Sequence, residues 1–346
     1  MPLTKNPHLK GRGHARARVS LADVAKHANV ATMTASRVLS QPELVSQELR
    51  TRVEKAIREL GYVPNRAARA LASAQSKVIA VLIPSLSNGV FTDVIAGIQD
   101  ALDADDYQLL IGNTRYSDIR EEKLFNIYMQ SNPDGVLLTG LTQSQRVREM
   151  LELSRVPVVA MMDLSDDPKR MSVGLSQEKA GYTLTRYLLD KGYRRIGYMG
   201  AQLDERTMKR LEGYRQALRE AGLYDPRLEL MVSDPSTISL GCELIGRMLS
   251  IAPDCDAVFC CNDDLAHGAI YQCQRRGIAV PKQLAVCGFN DLCASAWMNP
   301  SVTTIATPLY RIGYEAATLL RSAIRNEPLI RTHIDLGFTL MARESA

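Results

Sequence analysis

Thr32, Met33, Ser36 and Arg37 recur at the spacing that brings residues onto one face of a short helix. Hydroxyls, a thioether and a guanidinium on an exposed helical face suit the edges of base pairs, and the major groove of duplex DNA is wide enough to admit a helix. Further along, Arg66 and Arg69 stand beside Leu71 in "NRAARALASAQSK". That set offers cations for phosphates and an apolar wedge for a base step, as a minor-groove binder needs. Two carboxylate pairs, Asp166/Asp167 and Asp263/Asp264, are the nearest approach to acid–base machinery. No GxGxxG or GxxxxGK[ST] follows a strand, the histidines are scattered at 8, 14, 27, 267 and 333, and Asp263 sits where it can cap the helix that follows Asn262. Catalysis, a metal and a cofactor are therefore not expected.

The reading face needs a scaffold, and the flanking residues supply one. Leu21, Val24, Ala25 and Ala28 repeat at helical spacing, "NVAT" interrupts, and Ala35, Val38 and Leu39 resume the pattern. Thr32 or the residue before it caps the second helix. A third amphipathic stretch begins near Ser46, aligns Leu49, Val53, Ile57 and Leu60, and ends at Gly61 and Pro64. Three such helices bury a core only if the second lies across the other two, which leaves the face bearing Thr32 exposed. A bare three-helix bundle followed by a plain tether is the competing reading, and charge argues against it. Residues 1–75 hold 13 Lys and Arg against 5 Asp and Glu, whereas the remainder holds 29 against 33. A basic head on an otherwise acidic chain points to a polyanionic partner.

From residue 78 the pattern changes to apolar runs alternating with amphipathic helices: "VIAVLI", "YQLLIGN", "GVLLT" and "PVVAMM", then "RRIGYMG", "DAVFCC" and "LAVCGF". This is βαβ repetition, which demands parallel sheets covered on both faces. Two consecutive sets imply two similar α/β lobes, with a ligand cleft at the carboxyl ends of the strands. All seven cysteines lie between Cys242 and Cys293 without a CxxC pair, as buried free thiols would. No apolar run reaches the ~18 residues of a spanning helix and the first residues lack a secretory signal, so a cytoplasmic location is expected and a membrane partner is not. An exported sugar-binding protein would share the two lobes, but would need a signal and leave the basic head unexplained.

The segments "LADVAKHANVATMTASRVL", "LGYVPNRAARAL", "NDDLAHGA" and "TTI", in this order and at these separations, resemble the LacI family of bacterial transcription regulators over the chain from Val19 onward. Within it, "LDERT", "CNDDLAHGA" and "DLGFTL" resemble the gluconate-operon repressors. The resemblance implies a basic leader at 1–18, an all-α helix-turn-helix domain at 19–63, a hinge at 64–76 and a two-lobed, periplasmic-binding-protein-like α/β effector domain at 77–346. The first lobe is expected at about 77–162 and 306–328, the second at about 163–305 and 329–346. Thr32, Met33 and Arg37 align with base-contacting positions, Ser20, Thr34, Ser36 and Asn65 with phosphate contacts, Arg66 with the hinge and Leu71 with its intercalating leucine. In the cleft, Arg206 or Arg210 is implied as the clamp for a ligand carboxylate. Asp163, Asn262, Asp264 and Asn290 align with positions for ligand hydroxyls, Asn88 and Phe91 with the first lobe's contribution, and Thr139 is grouped with them. The implied effector is gluconate or a phosphorylated derivative such as 6-phosphogluconate, with another sugar acid such as 2-ketogluconate as the alternative. The implied DNA partner is a double-stranded, near-palindromic operator bound by a homodimer. The chain ends at "TLMARESA" without a heptad pattern, which favours a dimer over a tetramer.

Overall fold

A computed structural model describes residues 19–64 and 75–346, so the leader at 1–18 and the expected roles of Asn65, Arg66, Arg69 and Leu71 lie outside the described residues. The chain separates into two units that meet between Gln75 and Ser76, and each is described by itself.

The first unit contains α1 (Leu21–His27), α2 (Thr32–Ser40) and α3 (Gln47–Leu60). Ser20 caps α1 through a capping box, in which its hydroxyl accepts from the Asp23 amide while the Asp23 carboxylate accepts from both Ser20 N–H and O–H. The spacing S-x-x-D was present in the sequence, so this cap was legible there. The other two caps fall at expected positions but without a side-chain bond. Ala31, the residue before Thr32, occupies the N-cap of α2 and has no side-chain acceptor, and Ser46 stands at the N-cap of α3 without a side-chain hydrogen bond. Gly61 ends α3 at φ 61°, a left-handed conformation that glycine adopts without strain. Val24, Ala25, Ala35, Val38, Val53 and Ala56 form the small core. Arg52 locks the turn to it by donating from Nη2 to the carbonyls of Ala28 (2.7 Å) and Asn29 (2.9 Å).

The second unit holds two six-stranded sheets. The first has the order β11-β5-β4-β3-β1-β2, formed by β1 (Val78–Ile83), β2 (Gln108–Asn113), β3 (Gly135–Thr139), β4 (Val158–Met161), β5 (Met171–Gly174) and β11 (His333–Asp335). The second has the order β12-β10-β9-β8-β6-β7, formed by β6 (Ile196–Ala201), β7 (Glu229–Val232), β8 (Ala257–Cys260), β9 (Ala285–Asn290), β10 (Thr303–Ala306) and β12 (Thr339–Met341). Every pairing is parallel except β10 with β12. The lobe boundary expected near 162 is corrected, because β5 pairs with β4 and β11 with β5, so residues 171–174 and 333–335 belong to the first sheet. The four-residue "MSVG" carries too short an apolar run to announce itself as a strand.

Eight helices accompany the sheets: α4 (Gly89–Leu102), α5 (Asp118–Met129), α6 (Gln145–Ser154), α7 (Gln177–Asp190), α8 (Glu205–Glu220), α9 (Ile238–Ile251), α10 (Asp263–Arg276) and α11 (Leu309–Ile324). Three helix pairs use one device. A Cβ on Gly97 or Gly313 would strike the backbone between α4 and α11, one on Gly181 or Gly213 the backbone between α7 and α8, and one on Gly241 or Gly268 the backbone between α9 and α10. Reciprocal glycines let each pair approach to backbone contact, which fixes axial register as well as distance. The α7–α8 pair matters most, since the backbone of Arg210 is what Gly181 touches. Gly213→Ala is expected to cost about 1–3 kcal/mol through overpacking against Glu178 and Tyr182. Calorimetry checks it: the melting temperature of the two-lobed unit falls, and an unchanged value would mean these helices separate without cost.

Candidate functional site

In the first unit, Thr32, Met33, Ser36 and Arg37 are all exposed on α2, with Met33 71% accessible despite its apolar side chain. Thr34 is half-buried, and Ala35 and Val38 on the opposite side reach the core. The same helix thus divides into a packed face and a face free to meet a partner. The Arg37 guanidinium makes no hydrogen bond or ion pair with the described residues, whereas the Ser20 hydroxyl is committed to its capping box. Asp23 is held below the usual carboxylate range by those Ser20 bonds.

In the second unit the carboxyl ends of β1, β6, β8 and β9 converge on a narrow inner cavity of about 30 Å³. Asn88, Phe91, Arg206, Arg210, Asn262 and Asn290 line it, so six of the nine cleft residues expected from the sequence are brought together. Asn88 and Asn262 do two jobs. Each is an N-cap, Asn88 Oδ1 accepting from the Val90 amide at 3.0 Å and Asn262 Oδ1 from the Leu265 amide at 3.2 Å, which leaves their amide N–H groups for the cavity. Asn290 ends β9 with φ 107°, a conformation rare outside glycine and typical of residues aimed by a functional site.

The carboxylate beside Asn262 has a different job from the one expected. Asn262, not Asp263, is the cap of α10, while Asp263 is fully buried and accepts from the Leu292 amide (2.6 Å), Ser295 Oγ (2.9 Å) and Thr304 Oγ1 (2.7 Å). It anchors the loop that follows Asn290. Asp264 lines neither cavity, and burial together with Asp263 pushes its carboxyl up to about 6. Asp163 is likewise engaged elsewhere. Its Oδ2 accepts from Lys209 Nζ at 2.6 Å, Lys209 also pairs with Glu205 at 3.1 Å, and Glu205 accepts from Thr142 Oγ1 at 3.0 Å. This chain of polar contacts runs from the loops after β4 and β3 in one lobe to α8 in the other.

The two arginines differ in setting, which the sequence left open. Arg210 is buried, stacks 3.7 Å above the Phe289 ring centroid, and donates from Nε to Gln177 Oε1 (2.8 Å) and from Nη1 to the Cys261 carbonyl (2.5 Å). Its Nη2 remains for a ligand. Burial and the neighbouring Arg206 both push its pKa down. Arg206 pairs with Asp204 and lies 5.8 Å from the Phe91 ring, so it reaches from α8 toward the first lobe. Burial opposes its charge but Asp204 outweighs that, so its pKa rises. Asp204 is the mirror case, burial working to raise it and Arg206 holding it down. Two guanidiniums against one carboxylate leave a positive excess, to which the N-termini of α4, α8 and α10 add their dipoles.

Four inner-cavity residues, Tyr116, Gln202, Asp204 and Arg206, also line an outer cavity of about 500 Å³ bounded by the loops after β1, β2, β3 and β6. Thr139 lies here rather than in the inner cavity. Tyr116, Asp204, Gln177 and Ser236 were not singled out from sequence. Asp204 had a signal, being the cap residue of "DERT", while the others have none that a single sequence carries. Tyr116 is pushed up to about 12 by burial, and Glu121 in the outer cavity up to about 7 by burial and then by Asp118 and Glu122. Among the described residues no group of three or more His, Cys, Asp or Glu is placed to hold a metal, and no helix is long and apolar enough to cross a membrane. Cys255, Cys260, Cys261, Cys273 and Cys287 are buried thiols as expected, but Cys242 is half-buried and Cys293 exposed.

A helical unit presenting one polar face, joined to two α/β lobes around a buried cationic cleft, defines a ligand-responsive DNA-binding regulator. Residues 20–65 match bacterial regulatory proteins of the lacI family, and residues 76–338 match periplasmic binding proteins and the sugar binding domain of the LacI family. The chain belongs to the LacI family. It is 46% identical over 345 residues to the HTH-type transcriptional regulator GntR of Pseudomonas aeruginosa, an alignment spanning 100% of both chains. The structure of transcription regulator GntR from Chromobacterium violaceum is 51% identical, with a TM-score of 0.76 over 78% of this chain and 98% of that one. A LacI family regulator from Silicibacter pomeroyi is 35% identical, with a TM-score of 0.87 over 94% of this chain and 99% of that one.

The raised Glu121 gives a pH prediction. Its folded pKa lies above the unfolded value of 4.5, so its contribution to stability is complete below that value and lost as pH rises through about 7. The melting-temperature advantage of Glu121→Gln over the parent is therefore expected to grow as pH is raised from about 5 to about 8. A constant difference across that window would contradict the assignment.

Proposed function

We propose that this chain is a transcriptional repressor that binds a double-stranded operator as a homodimer and is released by an aldonic acid, gluconate or its 6-phosphate. The observation that carries the effector class is the inner cavity, where Arg206 and Arg210 face a single half-buried carboxylate, Asp204, amid three helix N-termini. Such a site has a deficit of negative charge that a carboxylate fills, and the asparagine amides around it suit adjacent hydroxyls. The high identity to regulators named GntR supports the same reading.

Thr32, Met33 and Arg37 are proposed to read bases, Arg37 through a bidentate contact to guanine and the other two through apolar contact with thymine methyls. Thr34 and Ser36 hold phosphates, which sets register without reading sequence. The capping box weighs against the hydroxyl of Ser20 as a phosphate contact and leaves its exposed position as the basis for that role. Asn65, Arg66 and Leu71 complete the proposed DNA contacts. The protein acts in the cytoplasm and binds its ligand without turning it over. Ligand binding favours a closed cleft, and the ligand shifts DNA occupancy only by its preference for that state, which requires a differential of roughly 5.5 kcal/mol for an almost complete switch.

Fluorescence anisotropy on an operator fragment tests this reading. Gluconate or 6-phosphogluconate is expected to release the protein, and Arg210→Met to bind operator but ignore both acids. Arg37→Ala is expected to lose about 1–3 kcal/mol on the operator and far less on random DNA. Release by neither acid would overturn the effector class, and equal loss on both DNAs would reduce Arg37 to a phosphate contact.

A further inference from the structure

The inner cavity, at about 30 Å³, holds little beyond a carboxylate or a water or two. The outer cavity is far larger, at about 500 Å³, and the two share Tyr116, Gln202, Asp204 and Arg206, so a molecule anchored in one extends into the other. Its lining includes four hydroxyls, on Thr114, Ser117, Thr139 and Thr142, and the amide of Gln143. Glu121 lies in its wall, and Oε1 of that side chain is buried without a hydrogen-bond partner in the described structure. A buried polar atom left unpaired is costly, and such atoms mark places where a partner is missing.

We propose that the outer cavity seats the polyhydroxylated chain of the ligand whose carboxylate the inner cavity holds, and that Glu121 pairs with a hydroxyl on that chain and so selects for chain length. The inference rests on the carboxylate-in reading given above and deepens it by fixing the ligand's direction. Two features favour hydroxyls as the occupant. Carboxylic groups at Asp118, Glu121 and Glu205 accept hydrogen bonds that a sugar chain can donate, and the threonine and serine hydroxyls both donate and accept. An apolar chain would leave the buried Glu121 Oε1 unsatisfied. The Ser117 cap, whose oxygen accepts from the Arg120 amide, fixes the first turn of α5, and that turn carries Glu121.

The test is calorimetric titration of the full chain with glycolate, glycerate, threonate and gluconate, an unbranched series that shares the acid head and lengthens the hydroxylated tail. Affinity is expected to rise along the series, and Glu121→Leu to weaken gluconate by about tenfold or more while leaving glycerate unchanged, because a site built to bond a hydroxyl loses most where that hydroxyl is present. Glu121→Gln should lose less than Glu121→Leu. Thr139→Val, on a separate wall of the same cavity, should repeat the selective loss, so the proposal does not depend on one variant folding. Equal effects on glycerate and gluconate, or none on gluconate, would overturn the outer seat while leaving the carboxylate clamp intact. Failure of the unmodified protein to bind any member of the series would instead overturn the clamp, and the outer seat with it.

Discussion

An imbalance of charge organises the two-lobed unit. Arg206 and Arg210 are buried side by side, each disfavouring the other's charge, and Asp204 is the one carboxylate lining the inner cavity with them. Burying two like charges is tolerated only where other groups absorb the cost. Here the Phe289 face, the Gln177 side-chain carbonyl and the Cys261 backbone carbonyl share that task for Arg210, while Asp204 takes it for Arg206. What these groups do not neutralise remains as a standing preference for an anion.

The rest of the fold serves to hold that imbalance in place. Backbone contact between α7 and α8 at Gly181 and Gly213 sets the height of Arg210, and Gln177, at the start of α7, is tied to the Met162 carbonyl at 2.7 Å. Asp263 pins the loop after Asn290, and Asn88 and Asn262 begin α4 and α10 as caps whose remaining amide hydrogens face the cleft. Across the cleft, Asp163, Lys209, Glu205 and Thr142 link the lobes without using any of the inner cavity's residues. The contacts that link the lobes and the inner clamp for a carboxylate are therefore built from separate side chains, so that each can be altered with the other kept.

How much of this was legible in the sequence depends on the range of the interaction. The three helices of the first unit and the strand–helix alternation of the second follow from local periodicity, and Thr32, Met33, Ser36 and Arg37 emerge exposed because Ala35 and Val38 bury the other face. The capping box at Ser20 was readable as spacing, yet its hydroxyl was assigned to phosphate instead. Strands β5 and β11 were not legible, since each is short and gains its place only from pairing with a distant neighbour. The same limit explains Asp163 and Asp264. The family resemblance put them in the cleft, but Lys209, 46 residues away from Asp163, decides where that carboxylate points. Tyr116 and Gln177 join the site through folding alone.

The central claim is that uncompensated positive charge, not shape or hydroxyl recognition by itself, selects the ligand. Its most direct test is a paired calorimetric titration with gluconate and with glucitol, which keeps the six-carbon hydroxylated chain and replaces the carboxylate by an alcohol. Gluconate should bind and raise the melting temperature by mass action, while glucitol at the same concentration should do neither. Binding of glucitol as tight as that of gluconate would contradict the account.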